Sequence, residues 1–163
     1  MTAPLSIRPA DLASERDAEA VIAMLDAYAR DPAGDGKPLA DKVRARLIEG
    51  LRQHPTTVVL LAWDGDTPIG VATCFVGFST FAAAPLLNVH DLAVVPAARG
   101  RGVGRALLRA AEEEARRRGC CKLTLVVLEH NDPARKLYES EGYRRATYNG
   151  GLGGALFYAK QLS

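Results

Sequence analysis

The run Leu86-Leu-Asn88-Val-His90-Asp91-Leu92-Ala93-Val94-Val95-Pro96-Ala-Ala-Arg99-Gly100-Arg101-Gly102-Val103-Gly104-Arg105 decides how this chain is read. Its first ten residues carry the β-branched and aliphatic content of a strand, and Pro96 stops them. Three glycines follow within five positions, then a helical pattern with Val103, Leu107, Ala110, Ala111 and Ala115 on one side and Gly119 at its end. The other side pairs Glu112 with Arg116, Glu113 with Arg117 and Glu114 with Arg118 at i,i+4 spacing. Closely spaced glycines let main-chain N–H groups approach an anion with no Cβ in the way, and a helix N-terminus adds its dipole. A phosphate or pyrophosphate fits such a loop; the plainer alternative is a turn with solvated arginines. A P-loop needs Lys-Ser or Lys-Thr after its last glycine, and a dinucleotide loop needs a third glycine where Arg105 stands, so both are disfavoured.

Upstream of this unit, Leu5–Arg8 alternates as a first strand, and Ser14-Glu-Arg-Asp17 has the form of a capping box. It opens a helix with Val21, Ile22, Leu25, Tyr28 and Ala29 on one face. A second helix spans Leu39 to Arg52, with Val43, Leu47 and Leu51 in a stripe. Thr56–Trp63 and Ile69–Phe78 form strands joined by an Asp64-Gly65-Asp66-Thr67-Pro68 turn. Downstream come a strand from Lys122 to Leu128, a helix capped by Asn131-Asp132-Pro133 and closed by Gly142, and strands Tyr143–Tyr148 and Ala155–Lys160. The alternation of strands and helices gives an α/β class with a mixed, partly parallel sheet.

At 163 residues the chain has the length of a single domain, 1–163, and 48% apolar with 25% charged residues is globular composition. A net charge of +2 is too balanced for a surface built to bind nucleic acid, and the arginines at 116–118 face glutamates with no interleaved aromatics. Three cysteines, two of them adjacent, make no disulfide framework and indicate a reducing compartment. No apolar run approaches a membrane span and the N-terminus has no signal-peptide pattern, so a soluble cytoplasmic protein without a membrane partner is expected.

Arg99-x-x-Gly102-x-Gly104 resembles the R/Q-x-x-G-x-G/A signature of the GNAT superfamily of acetyl-CoA-dependent N-acyltransferases. Leu92-Ala-Val94-Val95-Pro96 looks like that family's fourth strand, and Asn131-x-x-Ala134-x-x-Leu137-Tyr138-x-x-x-Gly142-Tyr143 like its segment after the fifth strand. The resemblance covers about residues 5–160 and is strongest from Leu86 to Tyr143. It implies a GNAT fold: a mixed, mostly antiparallel sheet of six or seven strands with about four helices, its fourth and fifth strands parallel and splayed. It further implies that the main chain of Leu92, Ala93 and Val94 pairs with the pantetheine arm of acetyl-CoA, the Val94 N–H polarising the thioester carbonyl. Arg99, Gly100, Arg101, Gly102, Val103, Gly104 and Arg105 would hold the pyrophosphate, with Asn131 and Ala134 completing the cofactor site. Asn131 serves equally well as a plain helix cap. Tyr138 matches the family's general acid; a core aromatic is the alternative. No metal is implied.

Acetyl transfer to an amine needs a base as well. Even alternation puts Asn88 and His90 on one face with Leu92 and Val94, and Asp91 on the other unless a bulge re-aims it. His90 falls where several family members carry a catalytic Glu or His, and a satisfied inward-facing histidine is the alternative. His54 and His130 have no comparable setting, and Cys120 and Cys121 read as buried. The resemblance places the acceptor under two loops, which here carry Asp31 and Asp35 on one and Phe78 and Phe81 on the other, with Asn88 below. Both aspartates can equally be solvated turn residues. Gly50-Leu51-x-x-His54-Pro55 with Phe78-x-Thr80-Phe81 looks like the diamine acetyltransferases, although His90 stands where those have a glutamate, which weighs against a strongly cationic polyamine. The expected function is transfer of an acetyl group to a small primary amine (a diamine, polyamine or amino-acid-like compound), by direct attack in a ternary complex, with homodimerisation an open option. The rivals are a protein or peptide acetyltransferase of the same fold and a silent CoA-binding module.

Overall fold

The computed structural model describes residues 4–147 and 153–162, in two compact units that divide between Leu125 and Val126. The first unit runs β1 (Leu5–Pro9), α1 (Glu15–Arg30), α2 (Asp41–Gln53), β2 (Thr57–Asp64), β3 (Thr67–Ser79), β4 (Ala84–Val94), α3 (Val103–Arg117) and β5 (Leu123–Leu125). A 3-10 turn at Pro96–Ala98 links β4 to α3. The five strands make one sheet in the order β1-β2-β3-β4-β5, antiparallel except for the parallel β4–β5 pair. The expected α/β architecture stands, with five strands among the described residues in place of six or seven.

The missing strands have a physical reason. In Leu156-Phe157-Tyr158 three large side chains follow one another, all exposed, so no buried face fixes a register. Among the described residues an isolated bridge, Thr147 to Gly154, and the Ala155 N–H donating to the Ala146 carbonyl are what pair the two segments. Tyr148 and Gly150–Leu152, which complete the expected hairpin, lie outside the described residues. The fifth strand, expected from Lys122 to Leu128, is three residues long, because β4 pairs with it only from Leu87 to Val89.

Burial splits the sheet's side chains between two layers. Against α3 lie Leu60, Ala72, Cys74, Leu87 and Val89, packed on Val103, Leu107 and Ala111. The opposite face packs Val59, Leu61, Trp63 and Val71 on Ala20, Val21 and Met24 of α1 and Leu51 of α2. Leu60, Leu61, Leu87 and Leu107 are fully buried, and each contributes roughly 1.5–3 kcal/mol of transfer free energy. On the far side of α3, Arg116 reaches Glu112 and Arg118 reaches Glu114 as the spacing suggests. Arg117 instead pairs with Glu114 at i,i+3, because Glu114 is buried at the helix flank and draws both arginines. No helix among the described residues is long and apolar enough to cross a membrane.

The second unit contains α4 (Asp132–Ser140). The Asn131 side chain accepts the Ala134 N–H at 3.3 Å, which realises the expected cap. Gly142, at φ +89°, closes the helix by donating to the Glu139 carbonyl.

The capping box at the start of α1 does not form. Ser14 occupies the N-cap without a side-chain bond, while Asp17 turns inward. There it accepts both Arg8 Nη atoms at 2.6 and 2.7 Å and the Asp11 N–H at 2.8 Å. Arg8 and Arg16 then lie over the Trp63 ring, at 5.3 and 4.6 Å. The Arg8 guanidinium holds the Asp17 carboxyl below the usual carboxylate range, outweighing its burial. A lowered pKa means the stabilisation is complete above the unfolded-state value near ~3.9 and fades as pH falls through the folded-state value. Asp17→Asn should therefore lose about 1–2 kcal/mol at neutral pH, discounted for the partial exposure of Arg8, and lose less on acidification than the wild type. Urea midpoints measured from neutral to acid pH check this; parallel curves for the two proteins would refute it.

Candidate functional site

The middle of β4 is irregular. Thr73 pairs with Asp91 and Cys74 with Val89, so β4 carries one extra residue, His90, at a bulge. The bulge resets the alternation. Leu87, Val89, Leu92 and Val94 all face α3, while Asn88 stands opposite Phe75 and Asp91 opposite Thr73 on the α1/α2 face. This corrects the even-alternation reading, which grouped Asn88 and His90 with Leu92 and Val94 and set Asp91 apart. The bulge puts Asp91 on the same face as Asn88.

Each of these side chains has a defined setting. His90 is exposed and meets the Phe75 ring edge-on, at 5.5 Å between centroids and 73°. His54, at the end of α2, meets the same ring at 5.0 Å and 88°, and lies 3.2 Å from the Thr56 hydroxyl. Asp91 accepts the Thr73 hydroxyl at 2.5 Å. The Tyr28 phenol of α1 is pushed up by burial and then by the Asp91 and Asp31 carboxylates, which places all three groups within electrostatic reach. Asn88 donates to the Thr124 hydroxyl at 3.1 Å, across the β4–β5 pair. In the sequence Tyr28 stands only as a helix-face residue and His54 only as part of the Gly50–Pro55 motif, with no setting of its own, and Thr73 is not singled out. A threonine inside the apolar run Val71-Ala-Thr73-Cys74 was the one signal available.

The main chain of β4 supplies the second part of the site. Val95 donates to the Ile69 carbonyl, so Ala93 and Asp91 also turn their main-chain groups to β3. Leu92 and Val94 turn theirs to the other side. β5 ends at Leu125 opposite Val89, and among the described residues no strand pairs with that side of β4 beyond it. The edge leads straight into the glycine loop. Gly100 and Gly102 hold φ of +74° and +81°, which L-residues with a Cβ rarely adopt. Gly102 is the N-cap of α3, no side chain caps the helix, and its carbonyl takes the first helical bond from Ala106. The N–H groups of Val103, Gly104 and Arg105 precede that bond and have no intrahelical acceptor.

Two of the loop's arginines are engaged within the chain. Arg99 donates from Nε to the Val94 carbonyl at 3.0 Å and from Nη2 to Asp31 at 2.6 Å, while Arg101 reaches Asp64 at 2.8 Å. Arg99 holds the Asp31 carboxyl below its ordinary value. Asp31 thus ties the start of the α1–α2 loop to the end of β4, whereas Asp35 is exposed further along that loop. Phe78 and Phe81 are exposed on the β3–β4 hairpin, 63% and 98%. In the second unit, Asn131 caps α4, Ala134 donates to it, and the half-buried Tyr138 ring lies 6.0 Å from that of Tyr143. Burial pushes the Cys74 thiol up to about 12, which removes it as a nucleophile, and raises Cys120 too. No group of three His, Cys, Asp or Glu among the described residues is arranged to hold a metal.

Residues 19–143 match the model of the acetyltransferase (GNAT) family. The uncharacterized N-acetyltransferase YhfO of Bacillus subtilis (strain 168) is 37% identical over 95 residues, 58% of this chain and 64% of that protein. Streptothricin acetyltransferase of Streptomyces lavendulae is 36% identical over 95 residues, 58% of this chain and 48% of that protein. The chain therefore spans between about half and two thirds of the length of these two relatives. Among solved structures, AAC(6')-Iy in complex with a bisubstrate analog of CoA superposes with a TM-score of 0.77 over 98% of this chain and 100% of that one, at 16% identity, a likeness of fold. Acetyl-CoA is the acetyl donor that such enzymes use. With more than half of its length matched by the family model, the chain belongs to the acetyltransferase (GNAT) family.

Proposed function

We propose that this chain moves an acetyl group from acetyl-CoA to the primary amine of a small molecule, by direct attack within a ternary complex. The observation that carries the reading is the unpaired edge of β4 running into an anion-receiving glycine loop. An extended arm bearing amides can add to an open strand edge as another strand would, and here that edge offers Leu92 and Val94. A pyrophosphate suits the N–H groups at the start of α3, where the helix dipole favours negative charge. Arg105 stands in the same turn, and Asn131 and Ala134 complete the cofactor set by family resemblance. When bound, acetyl-CoA supplies an activated thioester.

The chain's own groups address the two proton transfers. A primary amine with a pKa near ~10.4 is almost wholly protonated at neutral pH, a handicap of roughly 4 kcal/mol. His90, exposed at the bulge and braced by Phe75, takes that proton, directly or through water. Asp91 is the second carboxylate-side candidate, since the bulge turns it to the same face and Thr73 orients it. Tyr138 returns a proton to the departing sulfur. Asp31, Asp35, Phe78, Phe81 and Asn88 belong to the acceptor side. Streptothricin acetyltransferase, 36% identical over 95 residues, is named for a small-molecule acceptor, which favours that class over peptides.

Gly102→Val forces a β-branched residue to φ +81° in the loop, so acetyl-CoA affinity should fall by about tenfold or more, while Arg117→Ala leaves it unchanged. Calorimetry giving equal affinities would remove the loop from the cofactor site.

Tyr138→Phe should lower kcat with cofactor affinity intact. His90→Ala should lower kcat/KM most at low pH and recover in part as the amine deprotonates. A ratio of mutant to wild type that stays flat from about pH 6 to 9 would transfer the base to Asp91, and Asp91→Asn then carries the loss. Thiol release confined to peptide acceptors would overturn the small-molecule reading.

A further inference from the structure

Asp31 ends α1 as its C-cap and begins the α1–α2 loop, and its N–H donates to the Tyr28 carbonyl at 3.1 Å. Its carboxylate, 16% exposed, is divided between two donors: Oδ1 accepts the Ala33 N–H at 2.9 Å, and Oδ2 accepts Arg99 Nη2 at 2.6 Å. The first bond is a local turn that sets the direction of the carboxylate. The second commits its charge inside the protein.

Arg99 in turn is held at two atoms by two elements. Its Nε donates to the Val94 carbonyl at 3.0 Å, five residues back along the chain, while Nη2 reaches Asp31. The N–H groups of a guanidinium lie in one rigid plane, so two bonds along one edge fix that plane. The peptide between Val94 and Val95 is then gripped from both sides, its oxygen by Arg99 and its Val95 N–H by the Ile69 carbonyl at 3.0 Å. This peptide is where β4 ends, ahead of the turn at Pro96–Ala98 and the glycine loop. Without Asp31, the bond to Val94 rests on a long, half-exposed side chain with many rotamers open to it.

We infer that Asp31 is a positioning residue for acetyl-CoA, acting from α1 through Arg99 to hold the Val94 end of the open β4 edge in line with the glycine loop. This rests on the cofactor site proposed above and adds to it a residue that acts without touching the cofactor. The sign of the effect separates bracing from plain electrostatics. A carboxylate near a pyrophosphate repels it, so deleting that charge alone tightens binding, whereas loss of a brace weakens it. Asp64 supplies the comparison. It pairs with Arg101 of the same loop at 2.8 Å, and among the described residues Arg101 has no hydrogen bond to β4.

Calorimetry with acetyl-CoA on the full chain tests this, with the melting temperature of each variant confirming that it is folded. Asp31→Ala should raise Kd about three- to tenfold, and Asp31→Asn, which keeps an oxygen for Arg99 but not the charge, should raise it less. Arg99→Ala should raise Kd at least as much as Asp31→Ala, and the double variant should match Arg99→Ala, because Asp31 acts through that side chain. Arg99→Lys keeps the charge but cannot hold both partners in one plane, so it should not restore the wild-type affinity. Asp64→Ala should weaken binding by less than about twofold. Unchanged or tighter binding in Asp31→Ala, a double variant whose loss is the product of the two single losses, or an equal loss in Asp64→Ala overturns the inference and leaves acetyl-CoA binding standing. A wild-type chain that binds no acetyl-CoA overturns the cofactor reading, and the inference with it. Should Asp31→Ala fail to fold, Asp31→Asn and its combination with Arg99→Ala decide by the same criteria.

Discussion

The site depends on a mismatch in length between two neighbouring strands. β4 runs eleven residues and β5 three, so the parallel pair ends at Val89 and Leu125 while β4 continues to Val94. Main-chain N–H and C=O groups are obligate hydrogen-bonding groups, and those of β4 that face β3 are satisfied by the ladder. Those on the other side, at Leu92 and Val94, are left to whatever lies along the edge. The chain itself uses one of them, the Val94 carbonyl, for Arg99. A sheet whose fifth strand matched its fourth would have closed this edge and left no main-chain surface to recognise a ligand.

The bulge works with this mismatch. A regular β4 with Leu92 and Val94 in the α3 core would have turned His90 toward that core and Asp91 away from it. One extra residue keeps Leu87 and Val89, as well as Leu92 and Val94, in the core and returns both Asn88 and Asp91 to the α1/α2 face. His90, the residue without a partner in the register, is freed from packing and stays exposed. The cost is a locally interrupted ladder, and the Thr73 hydroxyl bond to Asp91 ties the strands together again at the next pair.

What the sequence disclosed and what it withheld divide along the range of the interactions involved. The glycine loop, the Asn131 cap and the α3 core stripe are local: φ preference, a side chain three residues from its N–H, and helical period decide them, and all are readable from neighbours in sequence. The bulge is decided by the pairing of β4 with β3, about seventeen residues away through a hairpin, and period-2 alternation carries no mark of it. The Ser14–Asp17 box failed for a related reason. Asp17 had two possible partners, a nearby N–H and the guanidinium of Arg8, and the charged, bidentate partner from β1 won. His54 is set aside in the sequence because its setting is a ring contact between the end of α2 and β3, which no neighbour in sequence announces.

Arg99 shows how a sequence signature and a physical role can part. Read as sequence, it is one of three cations gathered at a phosphate loop. In the structure its guanidinium joins the Val94 carbonyl at the end of β4 to Asp31 at the end of α1, bonds that fix two segments on either side of the site. Arg101 is likewise spent on Asp64. In the proposed cofactor site, anion reception therefore falls mainly to main-chain N–H groups, whose direction is set by the positive φ of Gly100 and Gly102. Such donors do not titrate and lose no rotamer entropy on binding, whereas a guanidinium already paired with a carboxylate must give up that partner first. In the proposed reading the glycines of the signature carry the recognition, while its arginine ties Asp31 at the end of α1 to the Val94 carbonyl at the end of β4.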